Sequence, residues 1–295
     1  MAEVRNRVGA ALHVVGVIGS PVAHSLSPLL HNTAFAAMGL GKDWRSCAFE
    51  VPPGEAPAAL DAMQAADVTG LSVTMPHKSD VAKLVDDCSE TAARLGAVNC
   101  VHRREDGSLF GTNTDGEGFV ASVVRGAGFV PQGRRCVVVG AGGAARAVIV
   151  ALAGAGAAQV AVVNRTRERA VEAADLARPV GAVVAAGGRD LDSVLRAADL
   201  VVNATPVGMA GTDAADQEWL VPPEVLRRGQ VAVDLVYAPR VTPWLAAARA
   251  AGATTLDGLG MLVHQAAAQL ALWTGRTPPV EAMWEAAEGA AVPEG

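Results

Sequence analysis

The chain has 295 residues, 51% of them hydrophobic and 18% charged, with Gly and Pro together at 48 positions. This is a globular composition sized for about two domains, and it excludes intrinsic disorder. A net charge of −6 and a pI near 5.5 argue against a broad nucleic-acid-binding face.

The first third alternates strand-like runs at 14–18, 44–50 and 70–75 with helix-like runs at 28–38, 56–66 and 77–86. Such alternation predicts βαβ units on a mainly parallel sheet. Arg5 and Arg7 followed by an apolar stretch imitate a secretory signal, but His13 interrupts it. Val14 to Ile18 therefore reads as a buried first strand. In Ser25-Leu26-Ser27-Pro28, Ser27 fits a helix N-cap and Pro28 the first helical position. The hydroxyls of Ser25 and Ser27 beside a helix N-terminus also suit a carboxylate ligand, so capping and binding both stand.

Lys occurs at only three positions, 42, 78 and 83. In Thr74-Met75-Pro76-His77-Lys78, Pro76 is expected to start a helix, which puts Lys78 in its first turn. A cation there opposes the helix dipole, so Lys78 has either a task or full solvation. Residues 97–113 read as two short strands around an Asp106-Gly107 hairpin turn, flanked by Asn99 and by Thr112-Asn113-Thr114-Asp115. Asp115 sits where the first domain gives way to the second. It is placed to cap a helix from Gly116 to Gly126, and capping does not exclude catalysis.

A second alternating series opens at Cys136, with further strands expected at 159–163, 182–185, 200–203 and 231–235. Gly140-Ala141-Gly142-Gly143-Ala144-Ala145 follows the first of these strands and opens a helix, fitting G-x-G-x-x-A. Gly140 makes the turn, Gly142 admits a pyrophosphate to the backbone, and Ala145 keeps helix and strand close. Free N–H groups at the helix start would then meet the phosphates. An NAD site places Asp or Glu at the end of the next strand. Here Val163-Asn164-Arg165-Thr166 stands there, with Arg169 one turn on, which predicts NADP. The plain alternative is a solvated helix start with Arg165 paired to Glu168.

Residues 258–275 carry no charge over 18 positions, but His264, Gln265, Gln269 and Thr274 make a buried helix the better reading than a membrane span. The last 38 residues read as helical with a break at Pro278-Pro279. Cysteines 47, 88, 100 and 136 form no C-x-x-C, and the six His form no metal-ligand cluster. We therefore expect no metal and a reducing, cytoplasmic setting.

In order and spacing, these segments resemble the shikimate dehydrogenase family. The matching segments are Gly19-Ser20-Pro21, His24 to Pro28, His31-Asn32, Ser72 to Lys78, Gly96-Ala97-Val98-Asn99 and Asn113 to Gly116. They continue with Gly140 to Ala145, Asn164-Arg165-Thr166, Asn203 to Met209, Asp234 to Tyr237, and Gly258 to Leu262 with Gln265. Ser72 stands where the family usually has Asn, and Cys100 where Thr is common. The resemblance implies NADPH-dependent reduction of 3-dehydroshikimate to shikimate, a step toward the aromatic amino acids. It implies an α/β fold in which an N-terminal substrate domain, 1–115, is completed by C-terminal helices, 258–295. A Rossmann NADP-binding domain, 116–257, is inserted between them.

By the same resemblance, Ser25, Ser27 and Tyr237 would hold the substrate carboxylate. Thr74, Asn99, Asp115 and Gln265 would bind ring hydroxyls, with Lys78 and Asp115 catalytic. Gly140, Ala141, Gly142, Gly143 and Ala144 would cradle the pyrophosphate. Asn164, Arg165, Thr166 and Arg169 would meet the 2′-phosphate, and Leu235 and Gly258 would flank the nicotinamide. Glu90 matches an acidic position near the cofactor. A quinate or aminoshikimate dehydrogenase using NAD(P) and a non-catalytic dinucleotide sensor are the competing readings. The oligomeric state, a homodimer included, is open.

Overall fold

A computed structural model describes residues 12–186, 191–209 and 221–290. Arg5 and Arg7 thus lie outside the described residues. The chain divides into two compact units, one running to Thr114 and resuming at Ala266–Ala290, the other Asp115–Gln265. The second division falls inside a helix, eight residues beyond the expected return at 258.

In the first unit, strands β1 (His13–Gly19), β2 (Trp44–Glu50), β3 (Gly70–Val73), β4 (Asp87–Cys88), β5 (Cys100–Arg103) and β6 (Leu109–Thr112) form one sheet, ordered β2-β1-β3-β5-β6-β4. β1 pairs parallel with β2 and β3, while β5 runs antiparallel to β3 and β6. The Asp106-Gly107 hairpin is the β5–β6 connection. Val15, Val17 and Ile18 of β1 are buried, as expected of a strand covered on both faces. The helices are α1 (Ser27–Ala37), α2 (Ala56–Ala65), α3 (Lys78–Leu84) and α4 (Glu90–Leu95). Beneath α2 and α3, Leu60, Met63, Leu71, Val73 and Val81 share one apolar core with Val98 and Val101.

Three expectations shift here. α1 starts at Ser27 with Leu26 as N-cap, because Leu26 is already helical; Ser25 Oγ takes the Ser27 N–H at 3.3 Å. Ser27 is therefore not the cap. Pro76 does not open α3. The Met75–Pro76 peptide is cis, His77 N–H closes a turn on the Thr74 carbonyl, and the helix starts at Lys78. β3 accordingly ends at Val73 rather than at 75.

The C-terminal residues complete this unit. The helix Leu259–Thr274 crosses the division, and from Ala266 onward it belongs here. Gln269 Nε2 donates to the Asn99 carbonyl at 3.1 Å, and Trp273 Nε1 to the Val101 carbonyl at 3.0 Å. A Cβ at Gly70 would fall on the Trp273 indole, so β3 passes the ring closely only as glycine. The last helix, Val280–Gly289, packs on α1.

In the second unit, β7 (Arg135–Val139), β8 (Gln159–Val163), β9 (Val183–Ala186), β10 (Leu200–Asn203), β11 (Val231–Asp234) and β12 (Thr254–Leu256) pair in parallel throughout. Their order is β9-β8-β7-β10-β11-β12, the doubly wound arrangement, with the direction of winding reversing between β7 and β10. Its helices are α5 (Asp115–Ala127), α6 (Gly143–Gly154), α7 (Arg167–Ala177), α8 (Leu191–Ala197) and α9 (Pro243–Ala250). α5 begins at Asp115 itself, one residue before the expected start. A Cβ at Gly116 would stand 2.7 Å from the Ala147 carbonyl oxygen, so this glycine lets α5 close on α6. Leu259–Thr274 takes the label α10 and Val280–Gly289 the label α11. Among the described residues no helix is long and apolar enough to cross a membrane.

Candidate active site

In the first unit, the carboxyl ends of β1 and β3 are tied together. Ser20 N–H donates to the Met75 carbonyl at 2.9 Å, and Thr74 N–H to the Ile18 carbonyl at 2.9 Å. Glu50 at the end of β2 takes the Val22 N–H at 2.9 Å and holds the 20–27 loop. Bonds from Ser20 and from Val22 N–H keep its carboxyl below the ordinary range. Beneath the loop, buried His77 donates from Nε2 to the Val51 carbonyl at 2.7 Å.

Lys78 enters this cluster through its backbone, its carbonyl accepting Val98 N–H at 2.9 Å. Next in the chain, the Asn99 carbonyl accepts Val73 N–H at 2.8 Å and Asn99 N–H reaches the Thr112 carbonyl at 3.0 Å. The Asn99 side chain is buried, and its Oδ1 takes Thr114 N–H at 2.8 Å. Ser25, Ser27, Thr74, Lys78 and Asn99 are thus gathered at one end of the first sheet. Ser25, Thr74 and Lys78 are half-buried, whereas Ser27 and Asn99 are buried. Glu90, in the same unit, pairs with Arg94 one turn along α4 and is otherwise exposed.

The remaining expected residues lie in the second unit. Asp115 opens α5 and is buried. Gln265 is buried on α10, Nε2 donating to the Leu262 carbonyl at 3.1 Å, and a Cβ at Gly118 would meet its backbone nitrogen at 2.6 Å. Tyr237 is half-buried, and burial pushes its phenol up. Leu235 N–H donates to the Asn203 carbonyl at 2.9 Å. Gly258 packs so closely on the Leu235 carbonyl that any Cβ would collide with it.

Gly140 leaves β7 at φ +116°, a conformation open to glycine, and a Cβ there would stand 2.8 Å from the Ala204 carbonyl. Gly142 is the N-cap of α6 with no side-chain cap, and Gly143 follows it. Among the described residues a Cβ on either would meet nothing within 4 Å. Nothing among the described residues requires glycine there; the open space fits a pyrophosphate approaching the first N–H groups of α6. Ala141 is buried, and its carbonyl accepts Arg146 Nε at 3.1 Å; half-buried Ala144 and buried Ala145 continue the helix. Beyond β8, Asn164 Nδ2 donates to the Thr166 carbonyl at 2.9 Å, while Arg165, Thr166 and Arg169 are exposed. Among the described residues neither Arg165 nor Arg169 is held in an ion pair, so the Arg165–Glu168 alternative does not form. This donor set, with no carboxylate at the strand end, fits a 2′-phosphate.

Sequence reasoning assigned no role to a buried network at the ends of β10 and β11. Asp234 accepts from Asn203, Val236 and Thr242, and burial still pushes its carboxyl up to about 6. Asn203 and Asp234 fall inside segments that carry the resemblance, so position was the available signal; Thr242 gave none. Arg146, which links the glycine loop to Glu172 of α7 at 3.6 Å, also went unnoticed.

Three family models match the chain. They are the shikimate dehydrogenase substrate binding domain at 17–101, shikimate / quinate 5-dehydrogenase at 128–261, and the shikimate 5'-dehydrogenase C-terminal domain at 258–288. The shikimate dehydrogenase (NADP(+)) of Moorella thermoacetica is 45% identical over 281 residues, covering 94% of this chain and 93% of that one. That of Methanopyrus kandleri is 44% identical over 283 residues, covering 95% and 96%. The crystal structure of shikimate 5-dehydrogenase from Thermus thermophilus, in complex with NADP(H) and shikimate, superposes with a TM-score of 0.83 at 38% identity, covering 95% of this chain and 100% of that one. Likeness of this depth over nearly the whole of each chain goes past a shared fold: the chain belongs to the shikimate dehydrogenase family.

Proposed function

We propose that this protein catalyses the reversible, NADPH-dependent reduction of 3-dehydroshikimate to shikimate in a cytoplasmic setting. The observation that carries this reading is the joining of Lys78 and Asn99 at one end of the first sheet, through the Val98 N–H bond to the Lys78 carbonyl. It brings the Lys78 and Asn99 backbones together where the β1 and β3 loops converge. Ser25 and Ser27, with Tyr237, hold the substrate carboxylate by hydroxyl donors. Thr74, Asn99, Asp115 and Gln265 fix the ring hydroxyls.

NADPH, when bound, supplies the hydride. Negative charge then grows on the former ketone oxygen. Lys78 stabilises that charge and donates its proton to the oxygen. In the reverse direction Lys78 takes that proton back, while Asp115 accepts a hydrogen bond from a ring hydroxyl. Gly140, Ala141, Gly142, Gly143 and Ala144 receive the pyrophosphate, Asn164, Arg165, Thr166 and Arg169 the 2′-phosphate, and Leu235 and Gly258 border the nicotinamide. Glu90 is held near the cofactor only by its position in the family pattern.

The test is absorbance at 340 nm with shikimate and quinate, each against NADP and NAD. Turnover of shikimate with NADP is expected to dominate. One charge-assisted hydrogen bond to phosphate is worth about 1.5–3 kcal/mol, or about 10–100-fold, so Arg165→Ala should weaken NADP by that factor and spare NAD. Equal use of NAD, or equal loss of both cofactors in Arg165→Ala, refutes the NADP assignment. Preferred turnover of quinate refutes the substrate.

A further inference from the structure

Asn203 ends β10 and Asp234 ends β11, opposite one another in register. Asn203 Nδ2 donates to Asp234 Oδ1 at 2.9 Å, and Thr242 Oγ1 donates to Asp234 Oδ2 at 2.7 Å. On its other side Asn203 Oδ1 accepts the Thr205 hydroxyl at 2.7 Å and the Thr205 N–H at 3.2 Å. Val207 N–H lies 3.4 Å from Thr205 Oγ1. Asn203, Asp234 and Thr242 are all within 2% of full burial.

The direction of these bonds is dictated by the carboxylate. An ionised carboxylate accepts and never donates, so it turns the Asn203 amide nitrogen toward itself. The amide oxygen is left facing Thr205, where it folds the chain after β10 into an Asx turn. That turn carries the Ala204 carbonyl, the atom that an added Cβ on Gly140 would strike. Ala204 N–H is in turn bonded to the Val139 carbonyl at 2.8 Å. The turn is therefore one wall of the crevice at the reversal between β7 and β10, where doubly wound sheets bind their ligands.

We propose that Thr242, Asp234 and Asn203 are positioning residues for the dinucleotide. Given NADP as the cofactor argued above, they hold the 204–207 turn against Gly140 through donors that converge on the Asp234 carboxylate from Asn203 on one side and Thr242 on the other. They reach the cofactor only through that turn. The Asp234 carboxylate is kept in the core for its direction rather than for stability, since a buried carboxylate costs more than a buried neutral group.

The experiment measures NADPH binding by nicotinamide fluorescence, together with KM for NADP and for shikimate. Thr205→Val keeps the shape and removes the hydroxyl; Thr205→Ser restores it. Thr242→Val and Thr242→Ser do the same on the other side of the carboxylate, and the Thr205 pair stands alone if Thr242→Val fails to fold. We expect Thr205→Val and Thr242→Val to raise the NADPH Kd and the KM for NADP about 5- to 10-fold, the scale of one lost hydrogen bond. The KM for shikimate should stay within about twofold, and each Ser variant should return close to wild type. Val variants that bind NADPH as wild type does, or that raise both KM values alike, overturn the proposal. Wild-type protein that does not bind NADPH overturns the functional reading, and the proposal falls with it.

Discussion

His31 is fully buried, hydrogen-bonded from Nδ1 to Ser46 Oγ at 3.0 Å and set edge-on to Trp273 at 5.2 Å. Burial lowers its pKa to about 3. An unfolded histidine titrates near 6.5, so between these values the unfolded chain binds a proton that the native state refuses. The His31 contribution is fully present above pH 6.5 and is lost as pH falls toward 3. At pH 4.5 the unfolded form gains about two pH units of binding, which lowers stability by roughly 3 kcal/mol. That is a large share of a typical 5–15 kcal/mol total. His31→Gln keeps a polar partner for Ser46 and removes the titration. Urea unfolding of both proteins at pH 7.5, 6.0 and 4.5 gives the comparison. Other groups cancel in the difference. Asp234 is among them: raised to about 6, it works in the opposite sense, losing stability as pH rises through that value. The variant should be less stable by about 1 kcal/mol at pH 7.5 and should overtake the wild type by pH 4.5. A difference that stays constant with pH refutes the assignment of His31 as a buried neutral group.

Lys78→Ala should lower kcat by about 10²–10⁴ with a much smaller change in substrate KM, as for loss of a general acid; near-normal turnover of the folded variant would reject the role. Gly142→Ala should leave the melting temperature unchanged, because its Cβ meets none of the described residues, and should raise the KM for NADP. Gly140→Ala should lower stability and cofactor affinity together, since it adds both a strained φ and a collision with the Ala204 carbonyl. Gly258→Ala should displace the turn at Leu235 and reduce kcat, with the loss of turnover checked at saturating NADP and shikimate.

The parts legible in the sequence were those with a long period or a demanding backbone. Buried runs such as Val137 to Val139 and Val160 to Val163 announce parallel strands, and Asp106-Gly107 announces the only tight hairpin expected. Short elements escaped. β4 has two residues and β12 three, too few to show a period. α4 has six residues, yet its ends were marked: Ser89 caps it through Ala92 N–H at 3.2 Å, and Gly96 closes it at φ +58°. The start of α1 slipped because Leu26 took a helical conformation ahead of the Ser-Pro signal. At the site, the glycine loop was readable from spacing alone. The Asn203–Asp234–Thr242 network was not, because its members lie 31 and 8 residues apart and meet only through strand pairing.

The bonds from Gln269 to the Asn99 carbonyl and from Trp273 to the Val101 carbonyl span 170 and 172 residues of chain. Their consequence appears during synthesis. The second unit, Asp115–Gln265, is continuous and has all its strands once it leaves the ribosome. The first unit begins to emerge earlier but waits for its last helices, with β3 and β5 lacking the indole and amide that later cover them. Domains usually mature in the order they are translated. Here the order is inverted: the part made first is finished last. Until then its exposed apolar face is the nascent chain's point of greatest risk for aggregation and its most natural place of contact with a chaperone.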